Sequence, residues 1–173
     1  MPMTLWITFW GRLAPRWTGV LRLLAGALLW LCASQASAIT ITVCASGCDF
    51  TKVTAAIGAA GASDIIQINN GETITEAFAY SINSNFAEIR GQLGTEVWDG
   101  NNNTPSEGNG SNATIRFNGA NVTQTIIIRN LTIAHTTGAS DTVRIDAFGS
   151  GGSVQFIHCT ITSTSLHNPV SFN

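Results

Sequence analysis

Charge is what this sequence has least of. Only 10% of its residues are Asp, Glu, Lys or Arg, against about a quarter in an ordinary domain. The few charges are also unevenly placed. Arg12, Arg16 and Arg22, three of the eight basic residues, lie before residue 38, and all ten acidic residues lie after it. Beyond residue 38 five basic residues therefore face ten acidic ones, a formal net charge of −5 (5 − 10). No basic run with interleaved aromatics occurs. That balance repels a phosphate backbone, so nucleic acid is excluded as a partner. Aromatics are scarce as well, with one Tyr in the chain and four of the five Trp (Trp6, Trp10, Trp17, Trp30) before residue 38. A long apolar run is also missing. The best stretch, Leu23 to Ala33, is shorter than the ~20 residues that cross a bilayer, which excludes a membrane span.

That stretch has another use. The arginines make a positive n-region, Leu23–Ala33 an apolar h-region, and Ala36-Ser-Ala38 a small-x-small cleavage site. Residues 1–38 read as a secretory signal peptide. The expected location is therefore secreted, periplasmic or cell-surface. Three cysteines remain, too few and too dispersed for a zinc site. Cys44 and Cys48 flank a short loop with Gly47, and export to an oxidising compartment favours a disulfide between them. Cys159 aligns with a core leucine and reads as an inward-facing thiol.

What is present is a repeat. Ala113-Thr-Ile-Arg-Phe-Asn118 reappears as Asp141-Thr-Val-Arg-Ile-Asp146, an offset of 28 (143 − 115). Ile128-Arg-Asn-Leu-Thr-Ile133 reappears as Phe156-Ile-His-Cys-Thr-Ile161, again offset by 28 (161 − 133). Short alternating segments sharing one period indicate stacked coils that bury one another. The predicted fold is all-β, a right-handed parallel β-helix with a short N-terminal capping helix. Residues 39–63 hold a first strand, the Cys loop and the helix, and residues 64–173 hold the coils. The helix is predicted over the segment from Phe50, with Val53, Ala56, Ile57 and Ala60 on one face. Thr51 or Asp49 would cap its start and Gly61 would end it. Strands are expected at Ile39–Val43, Asp64–Ile68, Glu88–Gly91 and Glu96–Gly100, with a turn at Asn69-Asn-Gly71 and a loop from Asp99 to Asn112.

Alternation assigns the outward residues. Ile115, Phe117, Val143 and Ile145 face inward, whereas Thr114, Arg116, Asn118, Thr142, Arg144 and Asp146 face out. Stacking places Arg144 over Arg116, and Asp146 offsets the repulsion. Arg116, Arg144 and Asp146 are thus the candidate ligand-binding residues. No catalytic residue and no metal ligand set is assigned. Asn130 and its counterpart His158 are expected at a left-handed bend rather than in catalysis. Asn112, Asn121 and Asn130 open Asn-x-Ser/Thr sequons.

The capping segment Gly47–Ile57, the strands Ile65–Ile68 and Ile89–Gly91, and the 28-residue coils resemble the pectin-lyase-like parallel β-helix proteins. Gly47-Cys-Asp-Phe-Thr-Lys-Val53 and Arg129–Gly138 are similar to segments of the pectin methylesterases. In that family the next segment supplies a glutamine, and later coils two aspartates and an arginine. Here residues 139–144 contain no glutamine, and the strand begun at Pro169 meets the last residue, Asn173. The resemblance therefore implies the scaffold without the esterase constellation, and a chain truncated at its C-terminus. The function expected is a structural, adhesive or glycan-binding β-helix segment, inactive by itself. The alternative is the N-terminal fragment of a polysaccharide-degrading enzyme of esterase or lyase type. No cofactor is expected, calcium entering only for a longer lyase, whose carboxylate cluster would hold it. The expected partners are a polysaccharide or cell-surface glycan, and a second copy through end-to-end association.

Overall fold

The computed structural model describes residues 37–76, 80–100, 113–136, 141–163 and 169–172. Residues 1–36, most of the expected signal peptide, residues 101–112, most of the expected loop with the sequon at Asn112, and Asn173 lie outside the described residues. No helix among those described is long and apolar enough to cross a membrane.

The chain is a parallel β-solenoid of about four turns. The first sheet orders β1 (Thr40–Val43), β2 (Ile65–Ile68), β5 (Glu88–Gly91), β8 (Thr125–Arg129) and β11 (Ser153–Ile157). The second stacks β3 (Thr73–Thr75), β6 (Val97–Asp99), β9 (Thr132–His135) and β12 (Thr160–Ser163). The third stacks β4 (Tyr80–Ile82), β7 (Ile115–Gly119), β10 (Val143–Phe148) and β13 (Val170–Phe172). Every strand pair is parallel, and each turn of the solenoid visits the three sheets in the same order.

Period-two alternation on three sheets sends apolar side chains to one central column each. Ile41, Ile66, Ile89, Ile128 and Phe156 stack in register inside the first sheet. Ile74, Trp98, Ile133 and Ile161 do so inside the second. Ile66, Ile89, Ile128 and Ile133 are wholly buried, each worth about 1.5–3 kcal/mol of apolar transfer. β-Branched chains suit these positions because their stiff χ1 costs little on a pleated surface. The 28-residue register holds as expected: Val143 pairs with Ile115, Phe156 with Ile128 and Ile161 with Ile133.

At the first rung α1 (Val53–Ala59) buries Val53, Ala56 and Ile57 against β1 and β2. Its capping differs from expectation. The N-cap is Lys52, which makes no side-chain cap. The donors are instead taken by Glu76, 97% removed from solvent, which accepts from Val53 N at 2.5 Å and Thr54 N at 3.3 Å. Asp49 is not free to cap, because Thr42 donates to it through both N–H and hydroxyl at 2.8 Å. Nor does Gly61 end the helix, which stops at Ala60. The Cys44–Cys48 disulfide is formed, with Cα atoms 5.5 Å apart. Its loop returns Phe50 to the outer edge of β1, where Phe50 N donates to Thr42 O and Cys44 N to Phe50 O. Helix and loop together cover the apolar face and part of the edge of the first rung.

Candidate functional site

The outward face of the third sheet carries Arg116, Arg144 and Ser171 in one register column. Adjacent strands are ~4.8 Å apart, so two guanidinium groups stack directly. Asp146 reconciles them. One carboxylate oxygen accepts from Arg144 Nε at 2.7 Å and the other accepts from Arg116 Nε. Burial works against ionising Asp146, yet the hydrogen bonds and charges of Arg144 and Arg116 outweigh it and hold the carboxyl below its ordinary value. All three side chains are largely covered, 22%, 14% and 13% exposed for Arg116, Arg144 and Asp146.

The position of Asp146 corrects the repeat alignment. Ile145 pairs with Phe117, but Ala147, not Asp146, pairs with Asn118. Asp146 is the extra residue of a β-bulge; alternation already places it outward beside Arg144, and the bulge turns Phe148 back inward, its ring 5.5 Å from that of Phe117.

Two further outward assignments need correction. Thr114 and Thr142 are buried. Their hydroxyls donate to the carbonyls of Ala134 and Thr162 at 2.7 Å. The two threonines and the two carbonyls share the 28-residue offset, so each threonine pins one corner of its coil to the second sheet. The outward polar face is accordingly made by arginine and asparagine, not threonine. Thr114 Oγ1 also lies 3.2 Å from Nδ1 of the fully buried His135.

The bends behave as expected. Asn130 and His158 have φ of 53° and 51°, the left-handed region that Asn tolerates best, and His158 is exposed at that corner. Cys159 donates to Ile128 O at 3.2 Å, and burial pushes its thiol up.

A second charged cluster has no counterpart in the sequence reading. On the first sheet Gln67, Arg90 and Arg129 stack in register. Arg90 Nε donates to Gln67 Oε1 at 2.8 Å, and Arg129 Nε to Glu88 Oε1 at 2.7 Å. Arg90 Nη1 stands 3.7 Å from the same Glu88 oxygen. Alternation in Glu88-x-Arg90 and Ile127-x-Arg129 was visible, but the register joining them was not. Ile65 pairs with Glu88, 23 residues on, and Glu88 with Ile127, 39 residues on.

The remaining described carboxylates serve the backbone and its neighbours. Glu96 accepts from Leu93, Gly94 and Gly71 N–H at 2.8, 2.8 and 3.1 Å. Burial is the largest influence on it and opposes charge, but those donors prevail and its carboxyl lies below the ordinary value. It thereby holds the Asn70-Gly71 turn, where both φ are 66° and glycine is the residue that accepts this at little cost. Glu72 takes Ala45 N at 2.6 Å, Asp64 takes Gly61 N at 2.7 Å, Asp99 takes the Thr136 hydroxyl at 2.6 Å, and Asp141 takes the Ser171 hydroxyl at 2.5 Å. Among the described residues no group of three His, Cys, Asp or Glu is arranged to hold a metal ion. No protein-family model matches the chain, and no curated protein matches it.

Proposed function

We propose that this chain is a secreted or cell-surface β-solenoid segment, built on a pectin-lyase-like scaffold, whose role is adhesive and whose third sheet binds glycan through Arg116, Arg144 and Asp146. The observation that carries this reading is the shared carboxylate. Asp146 gives one oxygen to each of Arg116 and Arg144 and so fixes both guanidinium groups on the outer face. Planar donors and acceptors locked in this way are preorganised for sugar hydroxyls, because little side-chain entropy is left to lose on binding. Use of every described carboxylate in hydrogen bonds or ion pairs supports a scaffold over a catalyst of the two-carboxylate kind. The disulfide suits an oxidising compartment.

The test is a glycan array probed with the wild-type protein and with Arg144→Ala, each first checked for an intact unfolding transition. Binding that falls at least tenfold in the variant supports the reading. No binding, or binding unchanged in the variant, rejects it. Turnover of pectin or polygalacturonate would reject it in favour of a polysaccharide-degrading enzyme segment.

A further inference from the structure

The geometry points to a separate anion-binding ridge on the first sheet, formed by Arg90 and Arg129, whose ligand is the carboxylate or sulfate group of an acidic polysaccharide. This ridge lies on a different sheet from the Arg116–Arg144 pair and does not depend on the function proposed for that pair.

The two arginine pairs look alike and are neutralised differently. On the third sheet Asp146 commits one oxygen to each arginine. On the first sheet Glu88 meets both arginines through the single oxygen Oε1, close to Arg129 Nε and at 3.7 Å from Arg90 Nη1. Arg90 turns its Nε to the neutral amide of Gln67. The first-sheet pair is also more open, with the Arg129 side chain 40% exposed and that of Arg90 27% exposed, against 22% and 14% for Arg116 and Arg144. Both Nε groups on the first sheet are thus engaged by the protein, which fixes the planes, while both side chains stay more open to solvent than the third-sheet pair. Two guanidinium planes one strand spacing apart, holding one excess positive charge between them, match the fork geometry that arginine offers to planar or tetrahedral anions.

The net acidity of the chain does not cancel this ridge. Asp49 and the other carboxylates around the helical cap belong to the first rungs; β5 with Arg90 lies two strand spacings beyond β1, about 10 Å away, and β8 with Arg129 three, about 14 Å away. The screening length at physiological salt is about 8 Å. The local excess positive charge therefore governs a group that arrives at the ridge, although long-range steering is weak. Ile157 continues the column beyond Arg129 and is 37% exposed, an apolar edge against which a sugar ring can rest.

The experiment measures binding of the full chain to polygalacturonate, which carries carboxylates, to dextran sulfate, which carries sulfates, and to uncharged dextran. Expected are binding to one or both polyanions, none to dextran, and loss of affinity as salt is raised. Arg129→Gln should weaken polyanion binding about tenfold and Arg90→Gln/Arg129→Gln should abolish it, while Thr73→Ala, an exposed change on the second sheet, leaves it intact. Arg129→Lys, which keeps the charge and loses the fork, should fall between the two and guards against a loss caused by misfolding. Preference for carboxylate or sulfate identifies the group recognised. Equal binding to uncharged dextran, no binding to either polyanion, or unchanged binding in the folded double variant overturns the proposal.

Discussion

The first and last rungs of this solenoid are built from the same kinds of strand and meet very different surroundings. At the first rung Ile41 and Val43 are 5% and 0% exposed, sealed by Val53, Ala56 and Ile57 of the helix. At the last rung Val154, Phe156, Ile161 and Val170 are only partly buried, and Phe172 is 74% exposed. Their neighbours one turn earlier, Ile126, Ile128 and Ile133, are at 0%. The column Ile82, Phe117, Ile145, Phe172 runs from sealed to open within four strands. An apolar side chain in a solenoid is thus buried by the rung beyond it as much as by its own. Among the described residues, nothing plays for β11, β12 and β13 the part that the helix plays for β1.

The largest test of this contrast uses one column. Ile128→Ala should cost about 2–5 kcal/mol, as for other buried large-to-small changes. Phe156→Ala, next on the same stack, should cost less than half of that despite removing a larger side chain, because part of its surface is already hydrated. Denaturant midpoints for the two variants decide it. An equal or greater cost at Phe156 would mean that the last rung is covered in solution.

A second comparison concerns how each end satisfies its backbone. Glu76→Ala strands the Val53 and Thr54 N–H groups beneath the helix, and should cost about 2 kcal/mol. Asp141→Ala removes only a half-buried contact to the Ser171 hydroxyl in the last turn and should cost about 0.5 kcal/mol. Thermal unfolding of both variants checks the ratio. Equal losses would show that the helical cap is not held by Glu76.

The smallest effect is in acid. Glu96 and Asp146 both have carboxyls held below their ordinary values of 4.5 and 3.8. A depressed value means that the stabilisation is complete above the ordinary value and is lost as pH falls further, through the folded-state value. Stability should be level from neutral pH to about 5 and decline below it. Glu96→Gln should flatten the upper part of that decline and Asp146→Asn the lower part. Acid titration of the unfolding midpoint checks both, and a decline of unchanged shape in either variant would remove that residue from the account.

The legible and illegible parts of this molecule divide along the same physical line. The pairs Val143–Ile115, Phe156–Ile128 and Ile161–Ile133 were readable because those coils differ by no net insertion, so sequence distance equals register at these positions. The Gln67–Arg90–Arg129 ladder was not, because its turns span 23 and 39 residues and no period connects them. Asp146 was correctly placed beside Arg144, yet its match to Asn118 concealed the bulge, since Asn and Asp look equivalent in an alignment. Glu76 could not be read as a helix cap. Capping rules act over three or four residues, and this carboxylate arrives from 23 residues away. Thr114 and Thr142 followed the alternation in sequence but precede their strands, where the coil turns a corner and pleat parity no longer applies.

The bulge also bears on how such a coil can change its length. β10 has one residue more than β7, yet Ser153 still pairs with Thr125 at the original 28-residue offset. The surplus is cancelled at the corner, where residues 149–152 span a gap that residues 120–124 span one turn earlier. The shorter corner lies so tightly on the longer one that a side chain at Gly152 would collide with the Val122 carbonyl. A duplicated coil can thus gain a residue on one face and shed one at the next corner, leaving every later rung undisturbed. Corners act as the solenoid's expansion joints. Through them, a new polar group can be tried on the surface without re-registering the core beneath.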